Sequence, residues 1–166
     1  MKRLSCIAGA AGLLGSVLLL PAVGSSADSY SADAFATCSA CHLPDGAGVP
    51  GAFPPIRNRA ARIATLDGGR EYLIMVVSYG LMGTLEVENM SYYGVMAGNA
   101  GPMQPADLAA ALNYLVFELG KDAAAGIEPF TAAEVEAVQA AVTLKSPAGA
   151  GELRNKLRAE HGSQWP

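Results

Sequence analysis

Histidine, cysteine and aromatic residues are scarce in this chain of 166 residues, which has two histidines, three cysteines, one tryptophan and 7% aromatics. With so few ligand residues, a four-ligand zinc site around one cysteine pair would need His161, which stands near the far end of the chain. An excess of positive charge is also missing: fifteen Asp/Glu face eleven Lys/Arg, and two of those cations are Lys2 and Arg3. That balance excludes a nucleic-acid binder, which selects basic surfaces, and a polybasic membrane-surface patch. Neither paired carboxylates nor a Ser/His arrangement stands out, so the chain does not read as an enzyme. Internal repeats and low-complexity linkers are absent. Beyond the first segment, no apolar run approaches the ~20 residues a spanning helix requires.

What is present begins with an export signal. Lys2 and Arg3 precede an apolar run from Ile7 to Leu20, which Pro21 breaks before VGSSAD. Ser25 and Ala27 place small residues at a cleavage site, so residues 1–27 are expected to be a signal peptide, with Gly24 the next choice. Cys6 precedes the apolar run and goes with that peptide. The mature protein is expected to be periplasmic, with no stable membrane insertion. It keeps Cys38 and Cys41, whose default in an exported protein is a disulfide. Half of the chain is apolar, but much of that is alanine and glycine. Such a core fills little volume per residue, a deficit that a bulky prosthetic group makes up.

The periodicity predicts a mostly helical chain with long glycine-rich loops. A helix is expected over Tyr30–Ala40, with Phe35 facing the core. Leu43–Pro55 is a Gly/Pro loop. Asp67 is the expected N-cap of a helix to about Tyr79, with Leu73, Val76, Val77 and Gly80 at helical spacing. Thr84–Val87 is a short strand candidate, followed by a turn at Glu88–Asn89 and a methionine-rich loop. Pro105 opens a helix to Gly120 with a stripe of Leu108, Ala111, Leu112, Leu115 and Leu119. TAAE at Thr131–Glu134 is a capping box starting a helix to about Leu144. One last charged helix follows. Residues 28–120 form the expected domain and 121–166 a C-terminal helical extension.

The specific signal is CSACH, Cys38 to His42, which matches the Cys-x-x-Cys-His haem c attachment motif. Two thiols at this spacing add across two haem vinyl groups, and the next residue is carried to the iron, where imidazole is a good ligand. Export fits, because haem c is attached outside the cytoplasm. The competing readings are weaker. A disulfide here closes a strained small ring, a thioredoxin-like pair wants a strand–helix neighbour, and zinc lacks further ligands. Downstream, NMSYYGVMAGNAGPM offers three methionines, Met90, Met96 and Met103, in a segment with no packing reason to need them.

CSACHLPDGAGVPGAFPPI, with YYGVM and a helix ending LNYL, resembles a class I c-type cytochrome over roughly Tyr30 to Gly120. The resemblance implies an all-α cytochrome c-like fold around one covalent haem c, with Cys38 and Cys41 as thioethers and His42 as proximal iron ligand. It implies that His42 donates its other ring N–H to a proline carbonyl, Pro54 or else Pro55. It implies a methionine as distal ligand. Gly94-Val95-Met96 matches the family's Gly-Val-Met, so Met96 is the expected ligand and Met103 the second choice. Ala97 departs from the usual proline, while Pro102 precedes Met103. Met75 is expected to fill core. One of Arg57, Arg59 and Arg62, with Arg57 chosen, is expected to pair with a haem propionate, and the others to form a solvated face. Tyr92 and Tyr93 either bond a propionate or cover the ring edge, and His161 is a surface histidine. The function implied is one-electron transfer between redox partners, with a periplasmic dehydrogenase as donor and a terminal oxidase or another cytochrome as acceptor. FTAAEVEAV more weakly resembles haem subunits of periplasmic sulfite dehydrogenases, in which the extension would be a docking element. A haem enzyme or gas sensor would need an open sixth position.

Overall fold

A computed structural model describes residues 30–166; the expected cleavage site and Cys6 lie outside the described residues. Helix α1 (Ala32–His42) starts where the Ser31 hydroxyl accepts the Ala34 N–H at 3.1 Å. It buries Phe35 and runs two residues beyond the expected end, so both cysteines and His42 are helical. It stops at Leu43, whose φ of 66° is strained for a residue with a side chain and turns the chain sharply after His42. A short helix α2 (Arg59–Ala64) sends Ala60, Ala61, Ile63 and Ala64 into the core. Alanine gives no periodic stripe, so the sequence does not announce it.

Helix α3 (Gly69–Tyr79) is capped by Gly68 at φ 74°, not by Asp67. The reason is close packing: a Cβ on Gly69 would lie 1.8 Å from the Ile63 carbonyl oxygen, so α3 begins hard against the end of α2. The methionine loop is also corrected. β1 (Leu81–Val87) and β2 (Met90–Met96) form an antiparallel hairpin, so the expected loop is a strand. Its two-residue turn, Glu88–Asn89, has φ of 52° and 61°, the left-handed pair a tight hairpin requires. Cross-strand partners share a face. Leu81/Met96, Leu85/Tyr92 and Val87/Met90 lie on one side, Met82/Val95 and Thr84/Tyr93 on the other.

Helix α4 (Pro105–Asn113) continues into a π-helical turn, Tyr114–Glu118. Its expected stripe is buried at Leu108, Ala111, Leu112 and Leu115 and half-buried at Leu119. α1 to α4 enclose the main core around Phe35, Ile74, Leu108, Leu112 and Val116. No helix among the described residues is long and apolar enough to cross a membrane.

The last two helices, α5 (Ala132–Ala141) and α6 (Pro147–His161), lie folded onto this body. Buried Asn113 donates to the Phe130 carbonyl at 2.9 Å and accepts its N–H at 2.7 Å, pinning the chain before α5. Thr131 caps α5, accepting the Glu134 N–H at 3.1 Å. The other half of the capping box is not made. The Glu134 carboxylate instead takes Arg70 of α3 in a two-pronged pair at 2.7 and 2.5 Å. A charge-assisted bidentate pair outcompetes a single bond to a backbone N–H. α6 packs on α3 and β1, and His161 Nε2 lies 2.9 Å from the Asp67 carbonyl. A second small cluster of Met75, Leu81 and Ala150 joins the hairpin to these helices.

Candidate haem-binding site

Cys38, Cys41 and His42 share the last turn of α1. Residues three apart on a helix hold their Cβ atoms about 5–6 Å apart, wider than the ~3.8 Å a disulfide needs. Both thiols are free, Cys38 half-buried and Cys41 exposed. Burial pushes the Cys38 thiol up, opposed by a backbone hydrogen bond, so it is protonated at rest. Helical spacing puts Ala34, Cys38 and Cys41 on one strip of α1. Beside that strip a cleft of about 600 Å³ opens between α1 and α4, lined by Ser31, Ala34, Thr37, Met103, Asp107 and Ala110.

His42 is buried, with its Nδ1 2.9 Å from the Pro54 carbonyl oxygen. A carbonyl only accepts, so Nδ1 carries the proton and Nε2 presents its lone pair. Burial lowers the imidazole pKa and outweighs the opposing hydrogen bond, which favours this neutral form. The loop that brings Pro54 round is tied down by its backbone. Gly48 N–H donates to the His42 carbonyl at 2.9 Å, and Val49 and Phe53 bridge each other. Leu43, Val49 and Phe53 are left apolar and exposed around the histidine, with the Phe53 ring edge-on to it at 6.4 Å. A neutral imidazole with a free nitrogen, one free thiol on the preceding residue and another a turn back, and an apolar rim fit a covalent haem. No cluster of three or more His, Cys, Asp or Glu able to hold a bare metal ion occurs among the described residues.

The methionines separate by burial. Met75 is core, as expected, while Met82 and Met90 are exposed. Met96 ends β2 half-buried, paired with Leu81 on the inward face of the hairpin. Met103 is buried and lines the α1–α4 cleft. Tyr92 is buried and Tyr93 exposed. The arginines fall out differently from the expectation. Arg57 pairs with Asp45 at 3.1 Å on the open surface, and Arg62 is exposed. Arg59, expected on a solvated face, is the buried one. A second buried arginine, Arg154, escaped the sequence reading. The available signal was its place between Ala150 and Leu157 in the apolar stripe of α6.

No family model matches the chain. It is 43% identical over 130 residues to a cytochrome c-552 of Thermus thermophilus, covering 77% of this chain and 82% of that protein. It is 45% identical over 108 residues to a second cytochrome c-552 of Thermus thermophilus, covering 64% of this chain and 81% of that protein. Similarity of this depth across most of the relatives' length joins the helix-rich fold and the CSACH turn in one conclusion: the chain belongs to the c-type cytochromes, a monohaem protein with covalently attached haem c that transfers electrons with redox partners and is not itself an enzyme.

Proposed function

We infer that Cys38 and Cys41 bind the haem as thioethers, that His42 and Met96 are the axial iron ligands, and that the protein works as an exported, freely diffusing electron carrier. The observation that carries the ligand reading is the bond between His42 Nδ1 and the Pro54 carbonyl. It fixes the ring, selects the tautomer with Nε2 unprotonated and raises the basicity of that nitrogen. The haem supplies the one-electron couple of its iron. His42 and Met96 would hold the iron in both oxidation states, so that little would rearrange on electron transfer. Met96 is favoured by Gly94-Val95-Met96 and by its place on the inward hairpin face. A methionine sulfur raises the potential, as suits a carrier.

The free-carrier reading is supported by the packing of the C-terminal helices. α5 and α6 lie against α3, α4 and β1 instead of projecting as a docking arm. A periplasmic dehydrogenase as donor and a terminal oxidase or second cytochrome as acceptor suit such a shuttle.

The test is covalent attachment. Expressed with haem-maturation machinery, the wild type keeps haem absorbance on the chain after denaturation. Cys38→Ala/Cys41→Ala loses it. Retention by the double variant would sink the thioether reading. Elution as a monomer from an exported fraction supports the carrier; co-elution with a dehydrogenase contradicts it.

A further inference from the structure

The segment that follows Met96 is docked on the end of α3 through its backbone. Asn99 N–H donates to the Val77 carbonyl at 2.8 Å, and Ala100 N–H donates to the Ser78 carbonyl at 3.0 Å. These carbonyls belong to the last turn of α3, where a helix leaves its own acceptors without partners. Two glycines let the chains meet. A Cβ on Gly98 would lie 2.5 Å from the Ser78 carbonyl oxygen, and one on Gly80 would collide with that of Met96. Residues Ala97 to Ala100 include no proline to stiffen the backbone. Beyond the hairpin, the course of this segment therefore depends on the end of α3.

Ser78 is an unexpected residue for that place. It follows Met75, Val76 and Val77 in α3 and is 2% exposed. A buried hydroxyl without a partner is costly. The partner comes from α5, where Gln139 Nε2 donates to Ser78 Oγ at 2.9 Å. The next side chain is tied to the same residue, because the Tyr79 hydroxyl donates to the Gln139 carbonyl at 3.3 Å. One residue of α5 thus holds two consecutive residues at the end of α3. Apolar packing takes the same route. Met96 packs against the cluster of Met75, Leu81 and Ala150, and so does Val138, the residue before Gln139.

We propose that Gln139 is a positioning residue for the sixth iron ligand. Through Ser78 it fixes the end of α3, and through the Asn99 and Ala100 bonds that end holds the methionine segment in its ligating place. The proposal rests on the Met96 reading above.

The test is competition by imidazole, a small external ligand that takes the ferric position a methionine sulfur leaves. Its apparent dissociation constant is the intrinsic one divided by the fraction of molecules whose segment is open. The ferric holoprotein is titrated with imidazole, followed by loss of the weak far-red band of iron-bound sulfur, and urea midpoints are recorded beside it. Gln139→Leu removes the bond and keeps the bulk. Its imidazole affinity is expected to rise about fivefold, the factor given by one net hydrogen bond. Ser78→Ala is expected to do the same, and the double variant no more than either, because both delete one bond. Gln139→Glu can accept from the Ser78 hydroxyl and is expected to restore most of the wild-type value. Thr131→Ala weakens α5 at its capped start, so its urea midpoint falls while its imidazole affinity stays at the wild-type value. Equal affinities in wild type, Gln139→Leu and Ser78→Ala would overturn the proposal. So would a rise in Thr131→Ala that matches the rise in Gln139→Leu, because the effect would then be one of overall stability. If Gln139→Leu does not accumulate, Ser78→Ala and Gln139→Glu decide. A wild type without the far-red band overturns methionine ligation and the proposal with it. A wild type that has the band, with variants that all titrate alike, overturns the proposal alone.

Discussion

The Pro54 carbonyl that accepts from His42 Nδ1 at 2.9 Å packs directly against Gly48, which leaves room for it only because it has no side chain. A Cβ on Gly48 would stand 2.3 Å from the Phe53 carbonyl oxygen and 2.7 Å from that of Pro54, and its φ is +68°. The histidine bond therefore depends on a missing side chain.

Gly48→Ala is expected to push the Pro54 carbonyl away from the ring. The left-handed backbone alone costs about 1–2 kcal/mol, so stability falls by at least that amount. With the Nδ1 bond weakened, the imidazole donates less to ferric iron and the reduction potential rises. Redox titration beside urea unfolding checks both effects. An unchanged potential would show that the bond does not tune the iron.

Asn113→Ala strips both backbone partners from Phe130. Its amide is fully buried and satisfies the Phe130 N–H and carbonyl together. Leaving two buried backbone groups unpaired is expected to cost about 3 kcal/mol. Asn113→Asp is expected to do no better, because a carboxylate cannot donate to the carbonyl. Urea midpoints of the holoprotein measure both; a loss near zero would mean that water replaces the amide without cost.

Arg70→Met tests how the C-terminal helices are fastened. Arg70 grips Glu134, donates to the carbonyls of Glu128 and Pro129, and lies 3.9 Å over the Phe130 ring. The pair is partly buried, between the range of surface ion pairs and that of buried ones, so a loss of about 2 kcal/mol is expected. A double-mutant cycle with Glu134→Gln isolates the carboxylate's share, expected at roughly 1 kcal/mol. Coupling within error of zero would assign the fastening to the carbonyls and the ring.

The legible parts of this molecule are those whose chemistry is local in the chain. CSACH can be read because thioether attachment and iron ligation demand fixed spacing within one helical turn. The Pro54 partner was legible only through the family resemblance, which left Pro55 as the alternative. The Glu88–Asn89 turn was legible too, but the strand after it was not. MSYYGVM carries glycine and methionine, and its partner strand already begins at Leu81, before the segment that looks strand-like. The Glu134 half of the capping box failed because its competitor, Arg70, lies 64 residues away. Arg59 and Arg154 were hidden for the same reason: three helices and the chain end make their environment, and no window of sequence contains it.

Ferric optical spectra of wild type, Met96→Leu and Met103→Leu, recorded side by side, test the His42–Met96 ligand pair most directly. The weak far-red band of sulfur bound to ferric iron is the observable. Wild type and Met103→Leu are expected to show the band, and Met96→Leu to lose it. A band kept by Met96→Leu and lost by Met103→Leu would move the sixth ligand into the α1–α4 cleft and contradict the assignment.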